Sequence, residues 1–312
     1  MLNPAVEVII VSRGNYNYIE RCLNSLQIHS YNDVKLVINN SGNENLLRKV
    51  YLVFPSINII SNPDNTSFCQ SLNKALEITE NDFVLCLNDD VFLGNGFINK
   101  TLNIFSLDSK IGMVSGKILR FDRDTLDSAG LFLSCWRTAR ERGYGRKDVG
   151  QYETPGYIFG VNGAVAFYRR EMLEDIKRGQ DYFDSDFRFF YEDLDIAWRA
   201  QNRGWKAYYV PTAIAYHARG GTARKKHGIG KNFGRFYIND ELQLDLIKNR
   251  YMTIIKNESL MGLLLHLSLI IVYDLAVFGF LLIFRPKVVP RLFSTFQYMK
   301  LAFRKRVAAK RV

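Results

Sequence analysis

Leu85-Cys86-Leu87-Asn88-Asp89-Asp90-Val91 is the stretch on which the reading of this chain turns. The apolar run from Phe83 to Leu87 predicts a buried strand, and it ends in consecutive carboxylates. Adjacent carboxylates repel, so the pair calls for a cation or hydrogen-bond donors beside it. Oxygen ligands of this hardness suit Mg²⁺ or Mn²⁺ shared with substrate phosphates. A polar turn holding two aspartates fits the same residues, so the surroundings must decide.

Upstream, strand and helix signals alternate. Strands are predicted at Val6 to Ser12, Val34 to Ile38, Ile57 to Ser61 and Phe83 to Leu87, with helices at Tyr16 to Ile28, Leu46 to Phe54 and Phe68 to Ile78. This order implies right-handed crossovers and an α/β fold on a largely parallel sheet, whose ligands lie beyond the carboxyl ends of the strands. That rule gathers Ser12-Arg13, Asn39-Asn40-Ser41, Asn62 to Asn65 and Asn88-Asp89-Asp90 on one polar rim. Downstream, from Gly112 to Tyr157, the pattern loosens, and the charged stretch Arg137 to Gly150 reads as an exposed insertion or flexible loop. Regularity returns at Val161 to Tyr168, in a helix from Glu192 to Asn202, and in a strand from Lys206 to Val210 ended by Pro211. Asp240 to Lys256 reads as a further helix.

Phe189-Phe190-Tyr191-Glu192-Asp193-Leu194-Asp195 leads aromatics into three carboxylates at a helix start, where the macrodipole favours negative charge. A carboxylate there, against an apolar wall, suits a general base, although acidic helix starts are also common without function. Asp195 follows Asp193 by two residues, so the two face different ways and only one should reach a substrate. His217 follows a strand, ordinarily a structural place for an imidazole; it gains value if it completes an Asp-based metal site. Gly220-Gly221-Thr222-Ala223-Arg224-Lys225-Lys226 offers amides and cations for a diphosphate. The Walker pattern and a GxGxxG after the first strand are both absent, which argues against a P-loop NTPase and a Rossmann dehydrogenase.

The 312 residues are 47% hydrophobic and 23% charged, which excludes a disordered chain and a disulfide-stapled mini-protein. The four cysteines (Cys22, Cys69, Cys86, Cys135) are scattered among apolar neighbours and read as buried free thiols of a reducing compartment. The net charge of +11 is concentrated: Arg285 to Val312 carries nine basic and no acidic residues, leaving 33 basic against 31 acidic elsewhere. This segment follows the most apolar stretch, Ser259 to Phe284, so the basicity points to an anionic membrane surface on the cytoplasmic side, with no nucleic-acid partner. A central Asp274 would cost about 2.5–3.5 kcal/mol in a spanning helix, and His266 adds to that. A helix lying in the interface fits better, with a buried helix or oligomer contact as the alternative. Met1 to Pro4 leads almost directly into the first strand, so no signal peptide is expected. The expected division is a catalytic domain over residues 1–256 and a membrane-associating helical region over 257–312.

The ordered set resembles the family-2 glycosyltransferases of the GT-A fold, and within them the rhamnosyltransferase-like branch. The residues that carry the resemblance are Val8-Ile9-Ile10-Val11-Ser12, Asn65-Thr66-Ser67-Phe68 to Asn73, Leu87-Asn88-Asp89-Asp90-Val91, Gly163-Ala164 with Arg169-Arg170, Phe189 to Arg199, and Val210-Pro211 to His217. The resemblance implies a single GT-A domain with a mainly parallel mixed sheet, an inverting metal-dependent sugar transferase, and Mg²⁺ or Mn²⁺ held by Asp90 and His217. It implies Asp193 as catalytic base with Glu192 beside it. Ser12, Arg13, Asn39, Asn65, Asn88, Asp89, Gly163, Thr222, Arg224 and Lys225 would then bind the nucleotide-diphospho-sugar donor. The implied donor is dTDP-rhamnose, with UDP-linked galactofuranose, glucose or N-acetylglucosamine as alternatives, and the acceptor a glycan or lipid-linked glycan. Asn39 stands where the family usually has Asp, Ser67 where Gly is common, and Asp89 where Pro is frequent. A nucleotidyltransferase and a catalytically inactive membrane-bound assembly module are the competing readings.

Overall fold

The run Val6–Ser12 (β1) is buried at every position, as a β-branched strand between two neighbours must be. In the computed structural model, which describes residues 5–27, 33–39, 44–62, 64, 66–219 and 234–309, β1 is followed by α1 (Tyr16–Gln27), β2 (Val34–Asn39), α2 (Glu44–Val53), β3 (Asn58–Asn62), α3 (Phe68–Glu77) and β4 (Phe83–Asn88). Strand β1 pairs in parallel with β2 on one side and β4 on the other, and β2 pairs in parallel with β3. The expected βαβ half is present, and the carboxyl ends of β1, β2, β3 and β4 share one edge. Ser67 caps α3 through a reciprocal capping box with Gln70, which fixes where the rim gives way to helix.

The chain then runs through β5 (Val91–Leu93), α4 (Phe97–Leu102), β6 (Ile111–Arg120), β7 (Leu126–Ser128), β8 (Leu131–Leu133), β9 (Ala139–Glu141), β10 (Gly156–Ile158), β11 (Val165–Arg169) and α5 (Arg170–Ile176). It closes with α6 (Glu192–Asn202), β12 (Lys206–His217), α7 (Asp240–Asn257), α8 (Leu260–Phe284) and α9 (Phe296–Ala309). The main sheet has ten strands, ordered β10-β12-β6-β11-β4-β1-β2-β3, with β5 on β12 and β7 on β6. Strand β11 is antiparallel to both β4 and β6, and β12 returns to a parallel pairing with β6. The sheet is mixed, and its antiparallel part lies beside β4, next to the acidic pair.

Three sequence expectations are corrected. Arg137 to Gly150 is only in part the exposed loop expected: Arg140, Arg146, Lys147 and Val149 are exposed, but Arg137 is buried, its side chain bonds Glu258, and β9 pairs with β8. Charge misled there, because each buried charge has a tertiary partner that no local pattern displays. The strand at Lys206 does not end at Pro211 but continues to His217 across a register shift between Val210 and Ile214. A bulge is where a strand tolerates a residue without an N–H, and Gly116 makes room for it; a Cβ there would stand 2.3 Å from the Ala213 carbonyl oxygen. Cys22, Cys69 and Cys86 are buried free thiols as expected, but Cys135 is exposed.

Helix α8 is capped by Ser259 and is long and apolar enough to cross a membrane by length and composition, with a mean hydropathy of 2.5. Asp274 and His266 face the protein. Asp274 receives Arg250 at 2.6 Å and the Tyr251 hydroxyl at 2.6 Å, and His266 meets Arg137 at 3.0 Å. The opposite side leaves Leu264, Leu265 and Leu275 exposed. Helix α9 folds back on α7, where Lys305 reaches Asp186 at 2.8 Å and Arg306 donates to the Ile255 carbonyl at 2.7 Å.

Candidate active site

The acidic pair leaves β4 at the edge where the parallel strands end. Asp89 turns back to β1 and accepts from the Ser12 hydroxyl at 2.5 Å, and the Arg13 backbone amide also reaches it. Burial pushes Asp89 up to about 6; the Asp90 charge adds to this, while the Ser12 hydrogen bond opposes it. Asp90 turns the other way. Strand β5, immediately after it, pairs antiparallel with the end of β12 and sets His217 opposite Val91. The register carries His217 to Asp90 across more than a hundred residues of chain: its Nε2 lies 3.2 Å from Asp90 Oδ1, while its Nδ1 lies 2.8 Å from Asp127 Oδ2. Burial pulls the imidazole down, but Asp127 and Asp90 outweigh it and push it up to about 9.

Asp90 and His217 suit a divalent cation. Two ligands about 2.1 Å from one ion at right angles stand about 3 Å apart, close to the separation of Asp90 Oδ1 and His217 Nε2. Among the described residues no three His, Cys, Asp or Glu side chains are placed to hold one metal ion together, so the remaining ligands would come from phosphate and water, as is usual for Mg²⁺.

The carboxylate expected as base is held one strand away. Asn88 N donates to the Ala164 carbonyl at 3.0 Å, and the preceding Gly163 N donates to Asp193 Oδ2 at 3.3 Å. Acidic pair and base thus meet through two adjacent residues. Gly163 is closely packed: a Cβ there would lie 3.3 Å from Glu192 Oε1, so that carboxylate would have to give slightly, and 3.4 Å from Asp193 Cβ. Before the helix, Phe190 and Tyr191 have φ of 69° and 71°, a left-handed conformation that costs on the order of 1–3 kcal/mol per residue. Asn249 of α7 clamps this turn by donating to the Phe189 carbonyl at 2.7 Å and the Phe190 carbonyl at 2.9 Å. Burial holds both Glu192 and Asp193 above the ordinary carboxylate range, and among the described residues Glu192 Oε2 has no hydrogen-bond partner.

Sequence reasoning missed several of these residues. Glu141 sits in the same acidic group, accepting from Ser128 and, at 2.8 Å, from Asn162, and is pushed up to about 8 by burial and by Asp193. Asp127, Asn162 and Asn249 were missed as well. Only Asn162 carried a signal, standing next to Gly163.

On the rim, Asn39 is buried and turned inward. Its amide oxygen accepts from Asn62 at 3.0 Å, Thr66 at 2.8 Å and Ser71 at 2.9 Å, and its nitrogen donates to the Thr66 carbonyl at 3.2 Å. It locks β2, β3 and α3 together. The Arg13 guanidinium stacks 4.6 Å above the Phe189 ring, linking the rim to the turn before the base. Asn65, Thr222, Arg224 and Lys225 lie outside the described residues.

A family model described as glycosyltransferase like family 2 matches residues 4–235. Poly-beta-1,6-N-acetyl-D-glucosamine synthase of Staphylococcus aureus (strain COL) is 20% identical over 208 residues, covering 64% of this chain and 46% of that protein. The chain therefore spans less than half the length of that curated relative. Among solved structures, GalNAc-T7 with UDP, GalNAc and Mn²⁺ superposes with a TM-score of 0.60 at 12% identity, covering 81% of this chain and 48% of that one. The mannosyltransferase PcManGT of Pyrobaculum calidifontis, in complex with GDP-Man and Mn²⁺, gives 0.54 at 14% identity, covering 98% and 88%. These neighbours share the GT-A fold.

Proposed function

Because this chain belongs to the glycosyltransferase-like family 2, we propose that it transfers a sugar from a nucleoside-diphosphate donor to a hydroxyl of a growing surface glycan, inverting the anomeric centre. The donor we put first is dTDP-rhamnose, against UDP-linked galactofuranose, glucose or N-acetylglucosamine. The observation that carries the reading is the junction at the sheet edge, where Asn88 bonds Ala164 and Gly163 bonds Asp193. It sets a carboxylate of raised proton affinity beside an acidic pair suited to a diphosphate-bound cation.

Asp193 takes the proton of the acceptor hydroxyl. That oxygen attacks the anomeric carbon from the face opposite the diphosphate, and the bond to the departing phosphate oxygen breaks with its electron pair. A positioned base contributes on the order of 10²–10⁴-fold. Burial keeps Asp193 a stronger base than an exposed carboxylate. Asp90 and His217 would hold Mg²⁺ or Mn²⁺, which when bound offsets charge on the diphosphate. Ser12, Arg13, Asn88 and Asp89 line the donor side, with Asn65, Thr222, Arg224 and Lys225 assigned to it by sequence. With Asn39 engaged inward, recognition of the base falls to other rim groups.

The same proposal places the enzyme on the cytoplasmic face of a membrane, on residues 257–312, with a lipid-linked acceptor. The exposed leucines of α8, with Asp274 and His266 turned inward, favour a helix lying in the interface.

The test is a thermal-shift panel of dTDP, UDP, GDP and ADP, each with and without Mn²⁺, on wild type and Asp90→Ala. Binding to the folded state raises the melting point by mass action. A Mn²⁺-dependent shift with one pyrimidine diphosphate, lost in Asp90→Ala, is expected. No shift with any nucleotide on folded protein favours the inactive module.

A further inference from the structure

We infer that Asp127 is the positioning residue of the metal site, fixing the His217 ring so that Nε2 is the nitrogen presented beside Asp90. This inference rests on the metal reading of Asp90 and His217. Its basis is a defect in a strand pairing. Along β6 and β7, Ile118 pairs with Ser128 but Leu119 pairs with Leu126, so Asp127 is the extra residue of a bulge. A bulge turns one side chain out of the strand's alternation, and it recurs where a side chain must be re-aimed. On its other side β6 pairs with β12, Arg120 opposite His217, so the bulged carboxylate reaches the imidazole from β7 across β6.

The contact is closed to solvent. Asp127 is 0% exposed, and its Oδ2 stands 2.8 Å from His217 Nδ1. Its Oδ1 receives the Arg219 guanidinium, with Arg120 Nε at 3.7 Å. A carboxylate can only accept, so Nδ1 must carry a proton. An imidazole ligating through Nε2 then has its lone pair on the side of Asp90, held in plane by the second hydrogen bond. Arg219 steadies the same carboxylate where β12 ends, so ring and strand end share one anchor.

Loss of such an outer partner lowers metal affinity by roughly 10–100-fold. The experiment is a Mn²⁺ titration of the full chain with dTDP or UDP, reading free Mn²⁺ by electron paramagnetic resonance, on wild type, Asp127→Asn, His217→Ala and the double variant. Melting curves run alongside. Expected are a 10–100-fold weaker Mn²⁺ affinity in folded Asp127→Asn and no further loss when it is added to His217→Ala. Unchanged affinity in Asp127→Asn, or full additivity in the double variant, overturns the inference while leaving the metal site standing. Absence of Mn²⁺ binding in wild type removes the metal site and the inference together. Should Asp127→Asn not fold, nitrogen-15 imidazole shifts of Mg²⁺-loaded wild type decide: protonated Nδ1 with bare Nε2 supports the inference, the reverse tautomer refutes it.

Discussion

Asp193 and Asp195 stand two residues apart on one helix, and the protein treats them in opposite ways. Asp195 is ringed by cations: Lys256 at 2.9 Å and Arg199 at 3.1 Å, with Asn257 donating at 2.7 Å. Burial would raise it, but Lys256 and Arg199 hold it well below the ordinary carboxylate range. Asp184 belongs to the same group, through Lys256 and Lys305. Asp193 has backbone amides instead, from Leu194 at 2.7 Å and Gly163 at 3.3 Å, with Glu192 and Glu141 nearby, and burial holds it above the ordinary range. Asp195 on one face of α6 fastens α7, and Asp184 ahead of the helix fastens α7 and α9; Asp193 on the other face has amides in place of contacting cations and holds its proton more tightly. The difference separates anchoring from the chemistry proposed for Asp193 within two residues of one helix.

The largest effect is expected from the anchoring side. Lys256→Met leaves Asp184 and Asp195 facing each other without their shared cation, and breaking a buried pair this way costs about 3–5 kcal/mol. Urea unfolding checks it; a midpoint unchanged from wild type would break the comparison.

The two groups should also respond to pH with opposite sign. Asp195 is depressed in the folded state, so its stabilisation is present above about pH 4 and lost as pH falls through its lowered value. Glu141 is raised to about 8, so its contribution is full below the unfolded value of about 4.3 and is lost as pH rises toward 8. Glu141→Gln should therefore gain in melting temperature over wild type, and gain more at pH 9 than at pH 5. An advantage that shrinks as pH rises would reverse the assignment.

A smaller effect comes from geometry alone. Gly163→Ala should displace the Glu192 carboxylate beside Asp193 by a few tenths of an ångström. Transfer should fall about tenfold with little change in melting point. Smallest for the fold is Leu264, Leu265 and Leu275 to Ser on the outward side of α8. Co-sedimentation with anionic vesicles should drop while the melting curve stays in place.

How much of this could be read from the chain follows from what each residue depends on. Strands β1 to β4 and helices α1, α3 and α6 were legible, because continuous apolar runs and helical spacing are local facts. The pairing of Asp90 with His217 was legible only as a resemblance; the β5–β12 register that makes it was not. Asp127 and Glu141 were invisible, since a charged residue in the irregular stretch from Gly112 to Tyr157 looks solvated until its partners on other strands are known. Asn39 shows the converse: its position at a strand end was read correctly, but its three accepted hydrogen bonds come from residues whose approach depends on β3 and α3.

The central claim is that Asp193 does the chemistry and Asp195 holds the helix. Asp193→Asn and Asp195→Asn should be compared in one assay of sugar transfer, donor binding and melting temperature. Asp193→Asn is expected to lose on the order of 10²–10⁴-fold in transfer, with donor binding and melting point preserved. Asp195→Asn is expected to lose stability first. Transfer that survives Asp193→Asn, or falls only in step with donor binding, would contradict the account.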